Sequence, residues 1–240
     1  MFTKKTRFAD MFSANNNLVL LMPRLGISLG VGNKSVQEVC DLCGISADFV
    51  LMLCNMYTYP GSEPDADELR RIDMSMLIPY LRASHTYYIN ERMPHLERHL
   101  ASVSRQAGER CSTALVAFFE QYKRELSEHF AYEENVVYPY LQKAMSGEKS
   151  PMDRKMAKAH TGMVDKISDL LQILYKYLPS HADTEELNEL IFGLLQLSSD
   201  FERHAAIEER VLMPYIGILE STSGHVQPHH RKGGDVENED

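Results

Sequence analysis

Basic charge, cysteine and long apolar runs are all in short supply in this 240-residue chain. Acidic side chains outnumber basic ones, 34 against 25, for a formal net charge of −9. That balance lacks the basic face that nucleic acid or an anionic membrane demands, so neither is expected as a partner. No apolar run reaches the ~20 residues of a membrane span, and the opening Met1-Phe-Thr-Lys-Lys-Thr-Arg-Phe8 leads into no signal-type apolar core. A cytoplasmic location is the expectation. With 4 cysteines, the chain is no disulfide scaffold. Cys40-x-x-Cys43 falls at the end of an expected helix, not at its start, where the helix dipole would activate a thiol. Buried, inert thiols are therefore expected there.

What the chain does have is a pattern written twice. Residues 129–141 and 204–216 both obey H-x-x-x-E-E-x-V-[VL]-x-P-Y-[LI], an internal repeat with an offset of 75 residues. His85-Thr86 and His160-Thr161 keep the same offset, so each half runs His, then 44 positions to a second His, then 4 to a Glu. Residues i and i+4 of a helix share a face about 6 Å apart. A lone H-x-x-x-E is usually a solvated pair. Two copies in matched context, each preceded by a His at one distance, point instead to a metal held between helices. The candidate ligands are His85, His129, Glu133, His160, His204 and Glu208.

Caps and breakers predict an all-α protein: an up-down-up-down four-helix bundle at 74–220, preceded by a small helical domain at 1–60 and a linker at 61–73. The first unit contains a short apolar stretch from Asn15 to Arg24. A helix capped by Ser35 and Glu38 then ends at Gly44, and another is capped by Ser46. The latter offers no Arg, Lys, Asn or Gln from Ala47 to Cys54, so a DNA-reading helix-turn-helix is rejected. The long helices are expected at Ser75–Arg105 with Pro94 bending it, Ser112–Ala144, Ser150–Leu178 and Asp183–Leu219. Residues 221–240 are polar, and a disordered tail is expected; His225, His229 and His230 in it read as a flexible surface cluster.

Loop positions test the bundle independently. In a helical hairpin, residues at one height are equally far from the loop. The midpoint of His85 and His129 is 107, beside Gly108; that of Glu133 and His160 lies between 146 and 147; that of His160 and His204 is 182. Each falls in an expected loop, which puts all six candidates in one layer. His95 and His99 miss it by about 15 Å or more of helical rise and read as surface or packing residues. Four imidazoles and two carboxylates exceed what one open tetrahedral zinc takes and suit a pair of iron-like ions. With bridging carboxylates and a shared oxo or hydroxo group, each ion would have about five bonds and one open position for O2, NO or peroxide. A ferritin-like Glu-x-x-His arrangement fails, because Leu126 and Phe201 stand three before His129 and His204.

On these residues the chain resembles the hemerythrin-like, HHE cation-binding proteins over roughly 74–218, and among them the di-iron repair-of-iron-centres branch. Oxygen carriers of the family place a further His one turn on in the third helix and use H-x-x-x-x-D in the fourth. Here Val164 occupies the first position and H-x-x-x-E replaces the second. The stretch Leu25–Cys40 is similar to the branch's N-terminal signature, with Gly30 and Val31 where that signature has paired cysteines. A further His after the first long helix, frequent in the branch, is lacking between Ala101 and Cys111. The resemblance implies two iron ions and iron supply to iron–sulfur proteins damaged by nitric oxide or oxidants. The residues leave open an O2- or NO-binding or sensing module, and a reductase of NO or peroxide; no catalytic residue is assigned.

Overall fold

Local capping chemistry starts and stops the first helices. They run α1 (Phe8–Ala14), a 3-10 turn (Asn16–Leu20), α2 (Leu21–Arg24), α3 (Val36–Cys43), α4 (Ala47–Thr58) and α5 (Ala66–Arg71). Ser35 caps α3 through a reciprocal box: the Glu38 amide donates to Ser35 Oγ at 3.3 Å, and the Ser35 amide donates to Glu38 Oε2 at 2.8 Å. The helix stops where Gly44 turns left-handed at φ 67°, a conformation that carries no Cβ penalty for glycine. Ser46 accepts from the Phe49 amide and caps α4. α5 lies in the stretch expected to be a linker: Asp65 and Glu68 form a second capping box and Leu69 is buried. Cys40 and Cys54 are buried, and burial pushes their thiols up to about 11 and about 12. Cys43 is exposed, contrary to the expectation for both members of the C-x-x-C pair, because it occupies the solvent side of the last turn of α3.

The computed structural model describes residues 1–148, 159–178 and 184–223, side chains at 159–161 and 222–223 excepted. Among them there is no β-strand. The first long helix is α6 (Leu77–Tyr87) and α7 (Met93–Ser104); the second is α8 (Glu109–Tyr132) and α9 (Tyr138–Met145). The third is α10 (Ala159–Tyr177), and the fourth is α11 (Thr184–Ile207) and α12 (Met213–Ser223). α7 packs on α8, α8 on α10, α10 on α11 and α11 back on α7, the closed square of a four-helix bundle. The expected start at Ser150, the loop at 179–183 and the tail from 224 lie outside the described residues.

Each broken helix is joined by a π-helical turn: Tyr88–Arg92, Glu133–Val137 and Glu208–Leu212. Proline is the cause. Pro94, Pro139 and Pro214 each stand six positions after the first residue of a π turn. A proline lacks the N–H for the carbonyl four back and collides with it. The preceding amide therefore reaches one residue further, from Met93 to Tyr88 O, Tyr138 to Glu133 O and Met213 to Glu208 O. Pro94 acts through this widened turn.

Two apolar clusters fill the interior. One joins the N-terminal helices to one end of the bundle, through Phe8, Met22, Phe49, Leu53, Leu81, Val137, Ile207 and Leu212. The other fills the opposite half, through Leu96, Leu100, Phe119, Leu126, Ile167, Leu194 and Phe201. Between them lies a polar seam.

Candidate metal centre

The seam is where the repeat converges. His85 of α6, Glu133 and Glu208 at the heads of their π turns, and His204 of α11 are all buried, and each offers a donor atom within 4.8 Å of the others. The Glu133 carboxylate faces two ways. Its Oε2 lies 3.2 Å from His85 Nε2, and its Oε1 lies 2.9 Å from His129 Nε2. Glu208 Oε1 lies 3.2 Å from His204 Nε2. The i,i+4 spacing puts each His–Glu pair on one helix face, and the π turn then redirects the chain at the glutamate itself. The sequence singled out six residues. The structure brings His85, Glu133, His204 and Glu208 to one spot and attaches His129 to it through Glu133. The backbone of His160 lies in α10, and its side chain lies outside the described residues.

Neighbours that the sequence reading passed over complete the site. Glu134 Oε1 is 3.0 Å from His85 Nδ1, which directs the other nitrogen, Nε2, inward. Phe130 stacks on the His85 ring with centroids 3.9 Å apart. The Tyr138 hydroxyl lies 3.1 Å from His85 Nε2 and donates to Glu208 Oε1 at 3.3 Å. Burial, then the charges of Glu208 and Glu133, hold Tyr138 far above the ordinary tyrosine range, so it is a neutral donor. Glu134 had a signal, since the second Glu of the E-E pair recurs at Glu209. Tyr138 had none, because its counterpart in the repeat is Met213.

The donor set fits a cation. Two buried carboxylates facing imidazoles are costly unless a positive charge is shared among them. Among the described residues, neither ring nitrogen of buried His204 has a hydrogen-bond partner, although Nε2 stands only 3.2 Å from a carboxylate oxygen. Two donors each about 2.1 Å from one ion, at a right angle, are about 3.0 Å apart, the spacing of these nitrogen–oxygen pairs. Among the described residues no helix is long and apolar enough to cross a membrane.

Comparison with known proteins agrees with this geometry. Proteins named iron-sulfur cluster repair protein YtfE, from Yersinia pestis (strain Pestoides F) and Yersinia pseudotuberculosis serotype IB (strain PB1/+), are each 22% identical to this chain over 186 residues, covering 76% of it and 83% of the relative. The family model of the hemerythrin HHE cation binding domain matches residues 76–216. That span contains both copies of the repeat and every side chain of the seam, so the chain belongs to the hemerythrin family of HHE cation-binding domains.

Proposed function

We propose that the seam holds a pair of iron ions between His85, His129, His160 and His204, with Glu133 and Glu208 as bridges, and that the protein supplies iron for the repair of damaged iron–sulfur clusters. The orientation of Glu133 carries the two-ion reading. One carboxylate whose oxygens face two different histidines, at 3.2 and 2.9 Å, suits two cations better than one. By the repeat, Glu208 plays the same part in the second half, with His160 as the counterpart of His85. Bound iron would supply an open coordination position and an exchangeable ferrous ion.

The chain's own residues would do the rest. Glu134 fixes the tautomer of His85, Phe130 shields that ring from water, and Tyr138 holds the Glu208 carboxylate by a hydrogen bond. The repair role rests on the relatives' name and on the ligand count. Val164 is half-buried against apolar neighbours at the position where oxygen carriers of the family place a further His. Fewer nitrogen anchors, and ligands that must lose protons to bind, favour release on reduction or in mild acid.

Iron content and release test the proposal together. Anaerobically purified protein should carry about two irons per chain, with a near-ultraviolet absorption after oxidation. Alanine at any of the six ligands should lower iron content at least several-fold, with the fold intact by circular dichroism. Followed with a coloured chelator, reduced protein should lose at least one iron far faster than oxidised protein. A single tight zinc with no room for a second ion would overturn the site. Retention of both irons for hours after reduction, with reversible O2 binding, would replace iron supply with ligand binding.

A further inference from the structure

Near the other end of the bundle, about 15 Å of helical rise from the seam, a second group of donors meets outside the proposed centre. His95 and His99 stand at i and i+4 on α7, with ring centroids 4.6 Å apart and planes tilted by 65°. Glu189 reaches across from α11, and one donor atom from each of the three lies within 4.8 Å of the others. The close approach of these helices is built in. A Cβ on Gly193 would sit 2.6 Å from Leu96 Cδ2, so the glycine lets α11 come against α7 one turn from Glu189. Arg92 Nη2 donates to the Gly193 carbonyl at 3.2 Å and secures the contact.

We propose that His95, His99 and Glu189 form a second, mononuclear site for a divalent first-row cation, open to solvent and separate from the buried seam. Two imidazoles and one carboxylate, with positions left for water, make a donor set used by zinc, cobalt and ferrous iron alike. His99 Nδ1 is held 2.7 Å from Glu186 Oε2, a carboxylate behind the ring that leaves Nε2 as the donor. An unprotonated His95 ring has a lone pair to give. Arg98, exposed and 3.3 Å from His95 Nδ1, would move aside for that nitrogen to bind an ion. Donors sharing one cation are at most about 4.2 Å apart, a closure that rotation of the exposed Glu189 side chain supplies. The neighbouring arginines make this a weaker, exchangeable site than the seam, suited to an ion in transit.

The test uses full-length protein, iron-loaded and oxidised, with His225, His229 and His230 replaced by Ala so that their imidazoles do not compete for the probe. Cobalt(II) is titrated in and followed by its visible absorption, and iron content is measured in the same samples. The proposal expects about one added cobalt per chain, displaced by zinc. His95→Ala and His99→Ala should each weaken binding at least tenfold while iron content stays unchanged. Glu189→Gln should weaken it several-fold. Should an alanine variant unfold, His95→Gln and His99→Gln provide the same reading with less loss of packing. Absence of added cobalt, or cobalt binding that persists in the double histidine variant, overturns the site. Because iron is counted separately, failure here leaves the di-iron proposal standing, and failure of that proposal leaves this one to be judged on cobalt alone.

Discussion

Each half of the repeat carries an acidic residue one turn before its second histidine, and the chain uses the two in opposite ways. In the first half it is Glu125, which meets Lys166 of the third helix at the surface, with side chains 36% and 30% exposed. In the second half it is Asp200, whose carboxylate takes Arg24 of α2 at 2.5 and 3.3 Å, with both side chains almost wholly buried. The Tyr57 hydroxyl adds a hydrogen bond to Asp200 at 3.2 Å and lies 3.1 Å from that of Tyr80. Arg24 also sits over the Tyr87 ring, 4.4 Å from its centroid. The difference shows what the N-terminal helices do to a symmetric bundle. They cover one half of it, and the acid they cover becomes a buried anchor four residues from His204.

The largest effect that follows is on stability. Arg24→Met removes the cation and leaves Asp200 charged and buried, which costs about 3–5 kcal/mol. Lys166→Ala at the equivalent pair costs under about 1 kcal/mol, because solvent already screens it. Denaturant unfolding of both variants measures the contrast. Arg24→Met with Asp200→Leu should recover much of the loss, since an apolar pair of similar volume often replaces a buried ion pair without penalty. Equal losses in the two single variants would mean that the halves are not anchored differently.

Such contrasts mark what could be read in advance. The capping boxes at Ser35 and Asp65 lie within four residues of chain, and the first was legible for that reason. The long helices followed from caps and breakers, and the clustering of His85, Glu133, His204 and Glu208 from a repeat, which turns weak i,i+4 pairs into a joint constraint. Arg24 and Asp200 are 176 residues apart, and Arg24 closes a stretch read only as apolar, so no local pattern announces their meeting. The π turns were present in the sequence as Pro94, Pro139 and Pro214. Pro94 was read as a bend, whereas each proline widens one turn, and the two in the repeat set Glu133 and Glu208 at its head. Glu189 was invisible for a third reason: its partners lie on another helix, brought close by a glycine.

A smaller effect sharpens the comparison at the ligands themselves. Glu134 holds His85 from outside, and Glu209 is its counterpart at the same offset from His160. Glu134→Gln should lower iron affinity about tenfold, the cost of losing a carboxylate behind a metal-binding imidazole. Glu209→Gln should match it if the halves are equivalent in this outer layer. Competition against a graded series of chelators reads both. A loss confined to Glu134→Gln would make the second half the asymmetric one here too.

The smallest effect is in the acid response of the first half. Lys166 and then Gln121 donate hydrogen bonds that hold the Glu125 carboxyl below the usual glutamate range. A depressed folded value stabilises the fold above the unfolded value, near about 4.3, and that contribution is lost as pH falls through the folded value. Glu125 is about a third exposed at the surface, where solvent screens the pair, so the contribution is under about 1 kcal/mol. Unfolding free energies of the parent and of Glu125→Gln, measured from pH 7 down to pH 3, should therefore differ slightly at neutral pH and converge in acid. Salt should shrink the neutral-pH difference further, because exposed pairs are screened. A difference of several kcal/mol at pH 7, or one that grows on acidification, would show that Glu125 is as deeply embedded as Asp200 and would remove the asymmetry between the halves.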